Sequence, residues 1–449
     1  MNPPTAPTTR REAFTTAGLA LLAASVAFSA QAAEAEAIGP DHLNVRSFGA
    51  KGDGTSDDTA AFQKALDAAH AAGGGRVWVP AGSYLLGGSL LVPHGVCLQG
   101  TWTAPISQPW KGPPGAAGSA AGSNLLTTHG HGDATAPAFI RLSGNSAVRG
   151  LAIHHPRQTP TDPPIAYPWT IASAAAGADN CAVENVFLAN SYQGIDFGHR
   201  VTGRHFIRNV YGDVLHRGIF VSQNLDVGRI ENVHFWPFWN PDANSPIRQY
   251  VQREAVAFEF GRSDWQMCTN TFCWGYGTGY HFITHGEGPT RGPSHGNFLG
   301  IAADACGIAV KIEETAPFGL LITNGQFVAF PGEAVMIDVA ESHTGSVRFN
   351  NCGFWGPCNQ IARIKGTGTL GFSDCTFVHW SRHNDRAAIH SHSGKLLVRG
   401  CEFKEDKPQI TLGEAVRSAI ITENLITGKL RVEHAEKANV VVANNLSAG

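Results

Sequence analysis

Short runs of alternating apolar and polar residues recur along the second half of the chain, and each run contains one amide or acidic residue at the same place. An apolar and a polar residue precede this mark and an apolar residue follows it, as in Ile207, Arg208, Asn209 and Val210. The marks are Asn185, Asn209, Asn232, Asn270, Asn324, Asn351, Asp374, Asn424 and Asn445. Short strands with period-two patterning, joined by tight polar turns, are typical of the coils of a parallel β-helix.

The spacing of the marks supports this architecture. Successive marks lie 24, 23, 38, 54, 27, 23, 50 and 21 residues apart, so two gaps correspond to double periods and one to a single period with an insertion. Asn tolerates the left-handed backbone that a sharp turn needs, and its amide can bond the equivalent residue one coil away. The sequence therefore predicts an all-β solenoid, a parallel β-helix of about ten coils, in which the Asn positions are structural.

A helix is predicted near the N-terminus, after the turn at Gly52, Asp53 and Gly54. Ser56 and Asp57 are suited to cap it. Its apolar positions are Ala61, Phe62, Ala65, Leu66 and Ala69. Such a helix could cover the open end of the solenoid, where unpaired strand edges would otherwise meet water.

The segment 43–59, together with the Gly-rich segment 73–85, closely resembles the N-terminal module of the pectate-lyase-like, right-handed parallel β-helix superfamily. This superfamily includes hydrolases, lyases, epimerases and phage tailspikes, so the resemblance implies the fold but leaves the chemistry open. Within this superfamily, the sequence motifs most resemble those of polygalacturonase-related, glycosyl hydrolase-like proteins. Arg363, Ile364 and Lys365 spell one polygalacturonase motif, but the Asp-Asp and Asn-Thr-Asp motifs are missing, which disfavours polygalacturonase itself.

The first 33 residues are predicted to be an export signal. Arg10 and Arg11 precede an apolar run of about 12 residues, too short to span a bilayer, and Ala30, Gln31 and Ala32 form a small-residue cleavage site. The arginine pair resembles a twin-arginine signal, although Phe14 lies one residue later than the usual pattern. We expect a single β-helix domain over residues 34–449, in the periplasm or outside the cell.

Composition narrows the choice of partners. Charged residues make up 15% of the chain and the formal net charge is −3, with neither a basic stripe for nucleic acid nor a basic amphipathic segment for a membrane surface. Cys352, Cys375 and Cys401 occur at one phase of the repeat, which favours buried free thiols over disulfides. No metal site is expected, because turn and cap roles account for Asp53 and Asp57. Homo-oligomers are common among solenoids of this resemblance, but no residue demonstrates one.

Aligning the coils places one outward-facing residue from each on a common column. The predicted column contains Asp196, Phe220, Glu259, His281 and Ala309. Parallel strands lie about 4.8 Å apart, so Asp196 and Glu259, two coils apart, should be separated by roughly 9.6 Å. This distance suits an inverting glycosidase, with His281 adjusting one carboxylate.

Three long excursions, at about 101–138, 154–179 and 237–254, could wall a groove beside the column. The turn before Phe220 contains Asp213, predicted as a further catalytic residue, and the loops contribute aromatic and cationic side chains suited to sugars and their acidic substituents. The predicted substrate-binding residues are Tyr192, His216, Arg217, Trp236, Trp239, Tyr250 and Arg253.

Three functions are consistent with these features. The leading hypothesis is an exported glycoside hydrolase that acts on a polysaccharide or oligosaccharide without a cofactor. The first alternative is a lyase or epimerase, in which a base removes a proton beside a uronate and Arg or Ca²⁺ neutralises the acid group. His216, Arg217, Arg253 and Lys311 are its candidate residues. The second alternative is a non-catalytic carbohydrate-binding envelope protein.

Overall fold

The computed structural model describes residues 42–102, 122–329, 334–382, 385–434, 436 and 439–448. The predicted export signal and much of the first predicted loop lie outside these residues. Leu43–Gly449 forms one compact unit.

Most coils of this unit contribute a strand segment to each of three parallel sheets. Sheet 1 contains, in order, His42–Asn44, Gly75–Trp78, Val96–Gln99, Ala147–His154, Ala182–Leu188, Phe206–Gly212, Arg229–Phe235, Gln266–Thr269, Gly292–Leu299, Thr315–Thr323, Ser346–Asn350, Thr369–Ser373, Ile389–Arg399, Ile410–Thr422 and Val440–Ala443. Sheet 2 contains Asp53–Asp57, Gly82–Leu86, Ser123–Thr127, the second halves of the four strands between Ala147 and Phe235, then Phe272–Trp274, Ala302–Cys306, Gln326–Ala329, Gly353–Trp355, Thr376–Phe377, Glu402–Phe403, Leu425–Thr427 and Leu446–Ala448.

Sheet 3 carries the candidate site. It contains Leu90–Val92, Ile140–Leu142, Trp169–Ser173, Gln193–Phe197, Arg217–Val221, Val256–Phe260, Thr278–Phe282, Ile308–Ile312, Val335–Val339, Gln360–Ile364, the first residues of Ile389–Arg399 and Ile410–Thr422, and Val432–Glu433. The parallel β-helix prediction is confirmed, although these thirteen rungs in the described part of the chain exceed the ten expected.

The remaining elements are short. The α-helices are Thr59–Ala71 and Pro246–Glu254, and the 3₁₀ helices are Val45–Phe48 and Gly288–Thr290. Thr284–His285 pairs antiparallel with the start of Gly292–Leu299.

The core is a continuous apolar column inside the coils. Rings stack from one coil to the next, as in Phe354, Phe377 and Phe403, whose centroids lie 5.4 and 4.6 Å apart. The coil repeat itself produces this stacking, because each inward residue meets its equivalent one rung away.

The Asn ladder forms as predicted over most of its length. The marks from Asn185 to Asp374 have φ between 50° and 57°, and Asn209 donates from its amide to Asn185 over 3.0 Å. The two double gaps are filled by Gly300 and Gly400, which adopt the same left-handed backbone with φ of 63°. At the last two marks the prediction is off by one residue, since Glu423 and Asn444 take the left-handed position.

The N-terminal helix buries the five apolar residues that the sequence predicts. Phe62 packs edge-on against Tyr84 at 5.2 Å, which attaches the helix to the core. The predicted cap is only partly correct. The Asp57 carboxylate accepts from the Thr59 amide, but Ser56 bonds to Asp53 instead.

The nine cysteines are free, and eight of them are buried, as predicted. The predicted loops are wrong in part, because regular elements interrupt them. Ser123–Thr127 lies in the first, Trp169–Ser173 lies in the second, and the helix Pro246–Glu254 occupies the end of the third. Trp169–Ser173 pairs with Gln193–Phe197 in sheet 3, so backbone pairing holds it in the coil.

Candidate functional site

The register of sheet 3 confirms four members of the predicted column and corrects the fifth. Asp196 pairs with Phe220, Phe220 with Glu259, and Glu259 with His281. The next member is Lys311 and not Ala309, which is buried. Beyond Lys311 the column continues through Asp338, Arg363, His390, Thr411 and Glu433.

Asp196 is closed off from solvent. It is only 6% exposed, and its Oδ1 accepts from the amides of Gly198 and His199 at 2.8 and 3.1 Å. Its Oδ2 lies 3.0 Å from Nδ1 of His199. The carboxylate therefore organises the turn that follows its strand.

Phe220 occupies the rung between the two predicted catalytic carboxylates. Its ring is 1% exposed because Trp169, His199 and His285 pack around it with ring centroids at 6.4, 5.0 and 4.9 Å. The Arg217 guanidinium lies above the same ring at 4.6 Å. This apolar cover separates Asp196 from Glu259.

Glu259 belongs to a charged network that extends toward solvent. Its Oε2 accepts from Nε of Arg217 at 2.9 Å and also from Nη2, while Nδ1 of His281 lies 3.7 Å from Oε1. On its other side, His281 bonds to Glu313 at 2.9 Å, and Lys311 pairs with the same Glu313 oxygen at 3.3 Å. The network thus extends over four successive rungs, from Arg217 to Lys311.

Burial lowers the pKa of His281, against the opposing effect of the Glu259 charge. Burial would raise the pKa of Glu313, but the hydrogen bond from His281 and the charges of His281 and Lys311 bring it below its usual value. Glu313 therefore remains ionised near neutral pH.

A second group of titratable side chains lies where the chain enters sheet 3. Tyr192 stacks on His216 from the neighbouring coil at 4.8 Å, and Nδ1 of His216 lies 2.8 Å from the hydroxyl of Tyr250. Burial, followed by the charge of Arg217, lowers the pKa of His216. Burial, followed by a hydrogen bond with Tyr192, raises the pKa of Tyr250. The arrangement places a neutral imidazole beside protonated Tyr250 and next to Arg217.

Asp213 is not on a surface turn, contrary to the sequence-based expectation. Its side chain is buried, and it accepts from Arg248 at 2.8 Å and from the amides of Trp239 and Asn240. Burial raises its pKa, and the charge of Arg248 opposes that effect. Asp213 thus attaches the helix Pro246–Glu254, through Arg248, and the loop before it, through the two amides, to the coil.

Three predicted binding residues are engaged elsewhere. Trp236 and Trp239 are half-buried and pack on an apolar cluster over sheet 2. That cluster contains Trp102, Ala152, Phe187, Ala189, Tyr211 and Phe238. Arg253 is exposed and pairs with Asp162 at 3.0 Å, which connects two of the predicted groove walls. No contact places these three residues on the sheet 3 column among the described side chains.

Four residues at this site were not among the predicted site residues: His199, His285, Glu313 and Trp169, the last of which lies in the predicted groove wall 154–179. All except Trp169 lie in turns or in a short hairpin, where period-two patterning gives no prediction. The members of the column after Lys311 could have been predicted from the sequence repeat. At its far end a cleft of about 460 Å³ is lined by residues that include Arg363, His390 and His392.

No group of three or more His, Cys, Asp or Glu side chains within the described ranges is placed to hold a metal ion. In the same ranges, no helix is long and apolar enough to cross a membrane.

Similarity to known proteins is strongest in short segments of sequence. A family model described as rhamnogalacturonase A/epimerase, pectate lyase-like, matches residues 42–235. Mannuronan C5-epimerase AlgE4 of Azotobacter vinelandii is 52% identical over 64 residues, which are 13% of this chain and 12% of that protein. Mannuronan C5-epimerase AlgE1 of the same organism is 69% identical over 45 residues, 10% of this chain and 3% of that protein. The matches thus span a small fraction of these relatives.

Similarity of structure extends over most of the chain. The A-modules of the A. vinelandii epimerases AlgE6 and AlgE4 each give a TM-score of 0.56, at 16% and 17% identity. Each comparison covers 91% of this chain, with 99% and 100% of the modules. A tailspike of E. coli bacteriophage HK620 gives 0.52 at 11% identity, with 89% and 80% covered. At these identities the likeness is one of fold.

Proposed function

We propose that this chain, a parallel β-helix protein similar to the pectate lyase-like family over residues 42–235, acts on a polysaccharide by removing the C5 proton of a uronate residue, as an epimerase or a lyase. The short matches to mannuronan C5-epimerases support this alternative over the hydrolase. The observation that carries the proposal is the adjacency of a neutral His216 and the cationic Arg217 where the chain enters sheet 3.

Proton removal beside a carboxylate needs a cation, because negative charge builds up on the carboxylate oxygens as the C5–H bond breaks. Arg217 can supply it. Its hydrogen bonds to Glu259 use Nε and Nη2, and the side chain is 26% exposed. The hydrogen bonds to Glu259 and the stacking on the Phe220 ring hold the guanidinium in one orientation. A planar guanidinium is suited to paired contacts with a carboxylate.

His216 is suited to act as the base. If Tyr250 donates to Tyr192, its oxygen accepts from Nδ1–H of His216, and this tautomer leaves the lone pair on Nε2. Nε2 takes the C5 proton and the electron pair moves into the carboxylate. In an epimerase a proton from water then returns to C5 from the opposite face, and Nε2 releases its proton to solvent. In a lyase the pair forms the C4–C5 double bond, the C4–O bond breaks, and the departing oxygen takes the proton that Nε2 removed.

The hydrolase remains the second candidate, because Asp196 and Glu259 lie two rungs apart on one column as an inverting pair would. Their surroundings favour it less. The oxygens of Asp196 are taken by backbone amides and His199, Phe220 separates the two carboxylates, and Arg217 binds Glu259.

We further propose that the substrate is anionic and runs along the column, where Lys311 and Arg363 add cationic groups beyond Arg217. The protein would meet such a polymer outside the cytoplasm, in keeping with the predicted export signal. Catalysis by His216 and Arg217 needs no cofactor.

One incubation distinguishes these activities. The protein is mixed in D₂O with a panel of polyuronates and neutral polysaccharides, and three signals are followed. Deuterium at C5 without ultraviolet absorbance indicates an epimerase, growth of absorbance indicates a lyase, and new reducing ends without either indicate a hydrolase. Absence of all three with retained binding would support the carbohydrate-binding alternative and contradict the proposal.

A further inference from the structure

A cleft of about 660 Å³ lies where the chain turns from sheet 3 into sheet 1. Its lining residues include Trp265, His295 and Phe318. None of its lining residues belongs to the column or to the group around His216. Its chemistry can therefore be considered separately from that of Arg217.

Three rings from successive coils form a row in this cleft. Trp265 and Phe318 are 60% and 72% exposed, which is unusual for side chains of this size. His295 lies between them, with ring centroids 6.1 Å from Trp265 and 4.5 Å from Phe318. Contiguous exposed apolar surface of this kind commonly marks a binding site.

The rim of the cleft is polar without excess charge. Asp226 pairs with Arg204 at 2.8 Å, and Asp264 pairs with Arg262 at 3.2 Å. Asn297 adds an amide, while the described lining residues include neither Lys nor Arg. Burial lowers the pKa of His295, so its ring is neutral at neutral pH.

We propose that this cleft is a second glycan-binding site, specific for a neutral oligosaccharide and independent of the uronate chemistry. Trp265 and Phe318 stack on the apolar faces of pyranose rings, as exposed aromatic side chains do. The paired carboxylates of Asp226 and Asp264 accept hydrogen bonds from sugar hydroxyls. A polyuronate would bring carboxylates to a lining that holds no cation to neutralise them, which is the opposite of the sheet 3 column.

The test is affinity electrophoresis in gels that contain a neutral polysaccharide, either a β-glucan, a xylan or a galactomannan, or a polyuronate. At least one neutral polymer should retard the wild-type protein through this cleft. Trp265→Ala and Phe318→Ala should each weaken that retardation about tenfold, as expected for the loss of one stacking ring. Their action on a uronate substrate should be unchanged, which separates failure of this site from failure of the proposed activity.

Trp355→Ala is the matched control, because Trp355 is also exposed, at 46%, but lies in a different cleft. It should be retarded like the wild type. Absence of retardation by every neutral polymer, or equal loss in the control, would overturn the proposal. So would light scattering that shows a wild-type dimer which Trp265→Ala dissociates, because the rings would then serve a second copy of the chain.

Discussion

Nδ1 of His216 lies 2.8 Å from the hydroxyl of Tyr250, which joins the turn before sheet 3 to the helix Pro246–Glu254. The insertion therefore supplies Tyr250, a partner of the proposed base, whereas His216 itself lies in a coil of regular length. Through this contact, an insertion predicted as a groove wall would act directly on the proposed proton transfer.

Replacing His216 by Asn should remove the base while leaving the stacking position of Tyr192 filled. We expect the turnover rate to fall by about 10² to 10⁴-fold, the usual contribution of a positioned general base. Tyr250→Phe should lower it by a smaller factor, because the base stays but its tautomer is no longer selected. Initial rates on a polyuronate measure both. His379→Asn, at an exposed turn, is the control, and equal rates for His216→Asn and wild type would exclude this residue as base.

The pH profile should follow the lowered pKa of His216. A base acts only when deprotonated, so activity should persist below pH 6.5, the ordinary value for His, and decline only at more acidic pH. The dependence of kcat/KM on pH measures this limb. A limb well above 6.5 would contradict the assignment.

Stability should also fall in acid, because buried histidines are neutral in the folded chain. Burial lowers the pKa of His155 to about 3 and that of His205 to about 4. Unfolded chains take up these protons below about pH 6.5, so the free energy of unfolding decreases as pH falls from there toward 4. Thermal melts at several pH values should show a shallower decline for His155→Phe than for the wild type, and no change of slope for His94→Phe at an exposed position. Parallel declines in all three proteins would contradict this cause.

The Asn ladder should contribute measurably to folding. Asn351 has φ of 50° and donates to Asn324 at 2.8 Å, so Asn351→Ala should cost about 1–3 kcal/mol in the free energy of unfolding. Asn351→Gly should cost less, because Gly300 and Gly400 occupy this position in other coils. Urea titrations measure the differences. Asn350→Ala, at the exposed neighbour, is the control, and a similar loss there would contradict a specific role for the ladder.

The ion pair of Asp213 and Arg248 should contribute to the free energy of unfolding rather than to the reaction itself. Asp213→Leu leaves a buried guanidinium unpaired and should cost about 3–5 kcal/mol. The double variant Asp213→Leu with Arg248→Met should be more stable than that single variant, since both charges are removed. Urea unfolding compares them. If the double variant is the less stable of the two, the pair is not the reason for the loss.

The repeat explains why the fold could be predicted and where the prediction ended. The amide marks and the period-two patterning predict the coils, because each coil needs a residue with a left-handed backbone at the same turn. Gly300 and Gly400 satisfy that constraint without an amide, so they carry no mark in the sequence. The described chain has thirteen rungs of sheet 3 where ten coils were expected, and three of these rungs, Leu90–Val92, Ile140–Leu142 and Trp169–Ser173, precede the first mark, Asn185.

The one error of register on the column has a similar cause. Gly194, Gly218 and Gly279 occupy the second position of their strands, where the neighbouring coil leaves no room for a large side chain. Ala309 fills that position in the next coil, although it was predicted to be the outward-facing residue of the column. Lys311 therefore reaches the surface, and the turns that bring in His199 and Glu313 could not be placed by periodicity.

We propose that His216 and Arg217, and not the carboxylate pair of Asp196 and Glu259, carry the reaction. It is tested most directly by deuterium incorporation at C5 of a polyuronate in D₂O, compared for wild type, His216→Asn and Asp196→Asn. We expect incorporation by the wild type and by Asp196→Asn, and incorporation that is slower by about 10² to 10⁴-fold with His216→Asn. Loss of activity in Asp196→Asn alone, with reducing ends as the product of the wild type, would contradict it.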